Sequence, residues 1–177
     1  CGVCGSFLTG DIFNLYVWFE VMLIASFGLL ILGGRKVQLD GAVKYGFLNL
    51  LATAFFLATV AYLYGVTGTL NFADLVSKGD DIPLGVMLTL TALFVFAFGI
   101  KAAAFPANAW LPAAYHTPVI SVSAVFGGLL TKVGAYALIR VLMLVLPEGR
   151  IALEPVIAVI AVATLLLGPL GALAQTN

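Results

Sequence analysis

Long apolar runs alternate with short polar segments along most of the chain. An α-helix needs roughly 20 mostly apolar residues to cross the hydrocarbon core of a membrane. The pattern therefore predicts an all-α bundle of about five membrane-spanning helices, with a short amphipathic segment around 70–76 at the interface. The expected spans are Ile12–Leu32, Val43–Val66, a third run that starts near Leu84, Ser121–Leu146 and Ile157–Ala174. Thr9 or Asp11 is expected to cap the first span, and Asp40 is a possible cap of the second.

The third run is too long for one straight helix. From Leu84 to Tyr115 an α-helix would measure about 48 Å, whereas the hydrocarbon core is about 30 Å thick. Pro106 lies inside the run and cannot donate a backbone hydrogen bond. We therefore expect a helix break between about Ala103 and Asn108, followed by a second short helical piece. The alternative is a helix that ends at Phe105 and continues as an apolar cytoplasmic loop.

Composition supports a polytopic membrane protein. Of 177 residues, 63% are hydrophobic and only 9% are charged, whereas about a quarter of an ordinary soluble domain is charged. The net charge is zero, and the chain has neither a basic patch nor a glycine-rich phosphate loop, so neither nucleic acid nor a nucleotide cofactor is expected as a ligand. Cys1 and Cys4 form a C-x-x-C pair, but His116 is the only histidine. No metal site is expected, and the cysteines are interpreted as small residues near a helix start.

The distribution of charges in the loops predicts the orientation. Segment 33–44 carries more basic than acidic residues, and segment 67–83 carries more acidic than basic ones. By the positive-inside rule, the first segment is expected in the cytoplasm and the second outside. Alternation then places segment 114–119 on the cytoplasmic side and segment 147–154 outside.

Three solitary charges interrupt the apolar runs, namely Glu20, Lys101 and Lys132. A charge at the centre of a membrane costs at least about 2.5–3.5 kcal/mol, so such residues usually face the interior of a bundle and mark ion pathways. Each of the three is expected at a similar, central depth. Glu20 and Lys101 are predicted to face each other across adjacent helices, with Lys132 further along a polar track.

This arrangement suits proton movement. Removal from water favours the neutral forms of lysine and glutamate, while a nearby opposite charge favours the charged forms. A lysine that gains or loses its carboxylate neighbour can therefore take up or release a proton. The alternative is a static salt bridge that holds helices together, but a second lysine without a partner argues against it. His116, at the expected cytoplasmic boundary, is a possible relay; simple interfacial placement is its alternative.

The segments around these charges resemble a known family. They are similar to the proton-translocating antiporter-like membrane subunits shared by Mrp cation/proton antiporters and respiratory complex I. The resemblance is carried by "GSFLTGDIFNLYVWFEVMLIASFGLLILG", "GIKAAAFPANAWLPAAY" and "SVSAVFGGLLTKVGAYALIR". It implies inverted repeats that each contain a broken helix, with Glu20, Lys101 and Lys132 as the proton-pathway residues. The chain departs from the family pattern at Asn108, often histidine, and at Ala113, often acidic; His116 is a candidate to compensate.

The resemblance implies a multi-pass protein of the cell inner (plasma) membrane that exchanges sodium or another monovalent cation for protons. Its expected partners are other membrane subunits, and no cofactor is expected. One alternative is the related subunit of complex I or of a membrane-bound hydrogenase. Another is a non-conducting scaffold, against which the buried charges argue. Residues 1–177 are expected to be an internal piece of a larger domain, and the terminal "GALAQTN" resembles the start of the next conserved loop.

Overall fold

The computed structural model describes residues 1–174, so the last part of the terminal "GALAQTN" segment lies outside the described residues. The described residues form α-helices, and two short 3₁₀ turns cover Gly79–Asp81 and Ala107–Ala109. The helices are α1 (Gly2–Leu8), α2 (Ile12–Ile31), α3 (Lys36–Thr67), α4 (Phe72–Lys78), α5 (Leu84–Lys101), α6 (Trp110–Tyr115), α7 (Ile120–Val125), α8 (Thr131–Leu144), α9 (Pro147–Ala152) and α10 (Glu154–Leu173).

Five helical stretches of the described chain are long and apolar enough to cross a membrane. They are α2, α3, α5, the continuous stretch Ile120–Leu144 that contains α7 and α8, and α10. This confirms the predicted all-α bundle of about five spans. The amphipathic segment is α4, whose Phe72 and Leu75 side chains are buried while Val76 is exposed.

The second span begins earlier than predicted, at Lys36 rather than near Val43. Arg35 caps α3, and its backbone N–H donates to Oε1 of Gln38 at 3.1 Å. The predicted cap, Asp40, instead lies inside α3 and forms a salt bridge with Lys44 one turn later, at 2.7 Å. When the first turns of a helix are polar, the start of the apolar run does not mark the start of the helix.

Helix α3 lies at the centre of the bundle and packs against α2, α5 and α6, while α5 also packs against α8 and α9. Aromatic rings fill the space between α2, α3 and α5. The Phe56 ring lies edge-on to Phe19 and Phe98 at centroid distances of 5.9 and 4.7 Å, and Phe94 stacks on Phe98 at 5.6 Å. Such contacts hold these helices at fixed spacings. In contrast, α10 buries none of its residues in the described chain.

The third span is broken, as predicted. Helix α5 ends at Lys101, Ala103 adopts a left-handed conformation with φ of 56°, and the short helix α6 resumes at Trp110. The break leaves backbone carbonyls without helical partners. One of them, the Ile100 carbonyl, accepts two hydrogen bonds from residues beyond α5: from the Ala103 backbone N–H at 3.1 Å and from the indole N–H of Trp110 at 3.0 Å. The backbone N–H of Phe105 donates to Oγ1 of Thr164 on α10 at 2.9 Å.

The fourth span contains a π-helical segment, Phe126–Leu130, between α7 and α8. Just beyond it, Gly134 lies against the end of α5. A Cβ atom at Gly134 would come within 2.7 Å of the Ala102 backbone nitrogen and 2.8 Å of the Lys101 carbonyl carbon. A glycine is therefore needed here, because only a residue without a side chain lets α8 approach the break so closely.

Candidate functional site

Lys101 lies inside the bundle at the start of the helix break. Its side chain is only 5% exposed. The ammonium group donates to Oγ1 of Thr53 on α3 at 2.9 Å and lies 5.0 Å from the centroid of the Phe19 ring on α2. A buried ammonium thus has a neutral hydroxyl and an aromatic face as its neighbours, which compensate its charge less than a carboxylate would.

Glu20 lies next to Phe19 on α2 and is half-buried. The ring of the adjacent Phe19 lies 5.0 Å from the Lys101 ammonium. However, Glu20 forms no salt bridge with Lys101: within the described part of the chain, the salt bridge found joins Asp40 and Lys44. The buried Oε1 atom of Glu20 has no hydrogen-bond partner there either. Glu20 and Lys101 therefore form no salt bridge within residues 1–174, which does not fit the alternative of a static salt bridge between them.

A small cavity adjoins Lys101. It has a volume of about 20 Å³ and is lined by polar side chains of Lys101, Tyr45, Asn49 and Tyr115 together with apolar neighbours. A polar cavity of at least about 10–15 Å³ can hold one water molecule. The hydroxyl of Tyr115 is buried and has no partner among the described residues. The lysine at the break thus borders a space in which a water molecule would find several polar partners.

The polar residues of α3 in this site were not singled out from the sequence. Tyr45, Asn49 and Thr53 follow each other at intervals of four residues, which places them on one face of the helix. The hydroxyls of Tyr45 and Ser26 lie 2.6 Å apart, and the Asn49 side-chain amide donates to the Tyr45 carbonyl at 2.9 Å. The four-residue spacing of polar side chains within an apolar span is the signal that could have identified them.

Lys132 lies elsewhere, and its predicted burial is wrong for the described chain. Its side chain is exposed, and its ammonium donates to the Gly127 carbonyl in the π-helical segment and to Oγ1 of Thr131 at 3.2 Å. Lys132 is exposed because it lies on a face of α8 that no other helix of the described chain covers. Lys132 shares an exposed face with Ile139, whereas Val133 and Ala137 on the other face are buried.

His116 follows α6 and is exposed. Its Nδ1 atom lies 2.6 Å from the carbonyl of Pro112. The residue borders a larger cavity of about 720 Å³, which lies between the α6 region and α10 and is also lined by Asn108, Tyr115 and Thr164. Lys101 thus borders the small cavity and His116 the larger one, and Tyr115 lines both.

Cys1 and Cys4 are exposed free thiols. Across residues 1–174, no group of three or more histidine, cysteine, aspartate or glutamate side chains could hold a metal ion. Of the predicted site residues, Lys101 is buried, whereas Lys132 and His116 lie at separate, exposed positions.

Comparison with known proteins identifies the family. The family model described as "NADH:quinone oxidoreductase/Mrp antiporter, TM" matches residues 9–177. The chain belongs to this family. This confirms the resemblance that the segments around the three charges indicated.

Relatives within the family include bacterial and archaeal proteins. A subunit of the Na(+)/H(+) antiporter of Alkalihalophilus pseudofirmus is 46% identical over 175 residues, which cover 98% of this chain and 36% of the relative. A chain of the Mrp complex from Dietzia sp. DQ12-45-1b superposes with a TM-score of 0.88 at 40% identity, covering 98% of this chain and 33% of that chain.

The third comparison is a chain of the membrane-bound sulfane sulfur reductase, an archaeal respiratory membrane complex. It has a TM-score of 0.94 and 35% identity over 99% of this chain and 36% of that chain. The chain therefore spans about a third of the length of the proteins that it matches.

Proposed function

We propose that these residues form part of the proton-conducting subunit of a multi-subunit antiporter in the plasma membrane, which exchanges Na⁺ or another monovalent cation for protons. The observation that carries this proposal is Lys101, which is buried at a helix break beside a water-sized cavity with several polar side chains in its lining. Within residues 1–174 it has no carboxylate salt-bridge partner. Discontinuous helices of this kind mark ion sites in transporters.

The surroundings of Lys101 suit a group that changes its protonation state. Removal from water favours the neutral form of an amine, while a nearby carboxylate favours its charged form. Lys101 is buried, and Glu20 is next to Phe19, whose ring contacts the Lys101 ammonium. A change in the position or protonation of Glu20 would shift this balance and release or load a proton at Lys101. A lysine locked in a salt bridge could not respond in this way, because the bonded carboxylate would hold it in the charged form.

Lys132 is proposed as the next residue of the pathway. It lies one span later in the chain, and its ammonium is held by a backbone carbonyl in the π-helical segment. Interruptions of this kind occur frequently at functional sites. Because Lys132 is exposed in the described chain, its partners in the pathway would be supplied by the rest of the subunit. His116 is proposed as a relay at the larger cavity.

The names of the relatives support this function, since one of them is a subunit of an Na(+)/H(+) antiporter. A second candidate is a subunit of a redox-driven complex. The specific observation in its favour is the TM-score of 0.94 with an archaeal respiratory membrane complex. In both cases the subunit would assemble with other membrane subunits and use the same buried charges; the two differ in what drives the protons.

The test uses the full-length protein in its native complex, in inside-out membrane vesicles with a fluorescent dye that reports ΔpH. Na⁺ added after a pH gradient is established should restore the fluorescence in the wild type. We expect Lys101→Ala and Glu20→Gln to reduce this response to that of vesicles lacking the complex, because each removes one charge of the site. Lys44→Ala, at an exposed salt bridge on α3, is the control and should leave exchange unchanged.

Two outcomes would contradict the antiporter proposal. One is normal Na⁺-dependent exchange by an assembled Lys101→Ala complex. The other is proton movement that requires a redox substrate and ignores Na⁺ and other monovalent cations, which would favour the redox-driven candidate. Complex assembly is checked for each variant by affinity purification of a partner subunit.

A further inference from the structure

Tyr115 stands between the two cavities of the site. It lines both the small cavity beside Lys101 and the larger cavity beside His116. Its hydroxyl oxygen is buried, and no hydrogen-bond partner for it is found within residues 1–174. Buried hydroxyls are nearly always hydrogen-bonded to protein or to ordered water. The unpartnered hydroxyl at this boundary therefore indicates a water molecule.

The small cavity has the properties of a water site. Its volume of about 20 Å³ exceeds the minimum of about 10–15 Å³ for one molecule. Lys101 directs one donor to Thr53, and an ammonium group has further donors to offer. Asn49 and Tyr115 add polar atoms to the lining. A water at this position would join Lys101 to the Tyr115 hydroxyl.

Tyr115 is held in place by its neighbours, so the position of its hydroxyl is well determined. Its ring packs edge-on against Trp110 at a centroid distance of 5.6 Å and lies 5.4 Å from the Phe126 ring. Its backbone carbonyl accepts a hydrogen bond from the Ser123 hydroxyl at 2.6 Å. Contacts on α6, on the π-helical segment and on α7 therefore fix the ring.

We propose that the Tyr115 hydroxyl is the link through which protons from the larger cavity reach Lys101. This inference rests on the proposed function and assigns Tyr115 as a further proton-relay residue. A tyrosine hydroxyl can accept one hydrogen bond and donate another. Water in the larger cavity that carries an excess proton delivers it to the Tyr115 oxygen and is left neutral. The tyrosine releases its phenol proton to the inner water, which passes a proton to the neutral amine of Lys101. One proton is transferred, and the tyrosine ends neutral.

The test is Tyr115→Phe in the full-length complex, which removes the hydroxyl and keeps the ring contacts. We expect the maximal rate of Na⁺-dependent proton exchange to fall several-fold, while the Na⁺ concentration for half-maximal exchange stays unchanged. A purely structural role would instead lower assembly or shift both quantities. Tyr64→Phe is the matched control, because Tyr64 is an exposed tyrosine of α3; it should behave like the wild type.

Exchange by Tyr115→Phe at the wild-type rate, in vesicles where Lys101→Ala is inactive, would overturn the link and leave the proposed function intact. Normal exchange by Lys101→Ala would instead contradict the proposed function itself. A second measurement does not depend on activity. An experimental structure of the complex should show ordered water within hydrogen-bonding distance of both the Tyr115 hydroxyl and the Lys101 ammonium, and a dry cavity would refute the proposal.

Discussion

Lys101 and Lys132 are both lysines within apolar membrane spans, yet their surroundings in the structure differ. Lys101 is buried at the end of α5, donates to a side-chain hydroxyl and borders a small polar cavity. Lys132 is exposed on α8 and donates to a backbone carbonyl of its own span. The first lysine is surrounded by a site within this chain, whereas the second presents its charge on the surface of the described bundle.

The difference teaches that depth within an apolar run does not determine the surroundings of a charge. Depth follows from position along the chain, since each residue advances an α-helix by about 1.5 Å. Surroundings depend on which face of the helix carries the residue and on which helix covers that face. Lys101 faces α3 through Thr53, whereas Lys132 lies on the face of α8 opposite Val133 and Ala137.

The largest expected effect concerns Lys132. It would show whether the two lysines differ only in their location or also in their function. If Lys132 passes a proton on from the Lys101 site, it must be able to lose its charge. In the full-length complex, Lys132→Arg should then abolish Na⁺-dependent exchange almost as completely as Lys132→Ala, because guanidinium stays protonated at any accessible pH. Assembly should survive in both variants.

The measurement is the recovery of ΔpH-dye fluorescence on addition of Na⁺, with assembly checked in the same preparations. A structural role predicts the opposite pattern: Arg is tolerated, and Ala harms assembly. Normal exchange by the Lys132→Arg complex would exclude the relay role and leave Lys101 as the proton-binding lysine of the described chain.

A smaller effect is expected at Gly134, where α8 touches the end of α5. Gly134→Ala places a Cβ atom within 2.7 Å of the Ala102 backbone nitrogen and 2.8 Å of the Lys101 carbonyl carbon. Because backbone cannot move aside as easily as a side chain, we expect the variant to lose about 1–3 kcal/mol of stability. The measurement is the temperature at which the detergent-solubilised complex loses its size-exclusion peak.

Gly128→Ala is the matched control for Gly134→Ala. It lies in the π-helical segment of the same span, and a Cβ atom there would meet no other atom within 4 Å. Equal thermal stability of the two alanine variants would mean that the contact between α8 and the Lys101 site is looser than described. The helix that carries Lys132 would then pack less closely against the end of α5, where Lys101 lies.

The smallest effect is expected for Trp110→Phe. The change removes the indole N–H that donates to the Ile100 carbonyl at the break and keeps an aromatic ring. The loss of one buried hydrogen bond should cost about 0.5–1.5 kcal/mol, measured as a lower midpoint in the same thermal assay. Trp18→Phe, on α2, is the control. If both variants melt at the same temperature, Trp110 does not stabilise the end of α5 through this bond.

The spans were predictable because hydrophobic length is a local property of the chain. The start of α2 was predicted with Thr9 or Asp11 as its cap, and the structure shows Asp11, whose side chain accepts from the Asn14 backbone N–H at 2.9 Å. The break in the third span followed from helix length together with Pro106. The start of α3 was missed because Arg35 and Gln38 form the cap in a polar stretch, which an apolar pattern does not include.

Within the site, the charges were predictable and their surroundings were not. An isolated charge such as Glu20 or Lys101 is visible in an apolar run without any knowledge of the fold. The hydroxyl partner Thr53 and the cavity residue Tyr115 are ordinary polar residues in the sequence. Their importance arises only in the folded bundle, where Thr53 contacts Lys101 although the two residues are 48 positions apart in the chain.

The amino-acid sequence by itself determined the class of protein, the number of spans, the break near Pro106 and the positions of Glu20, Lys101 and Lys132 along their helices. These features depend on local hydrophobicity and backbone chemistry. Only the tertiary structure decided that Lys101 meets Thr53 instead of forming a salt bridge with Glu20, that Lys132 lies on an exposed face, and that Tyr115 lines two cavities. Such contacts depend on how the helices are rotated about their axes, and that rotation is set by packing between residues far apart in the chain.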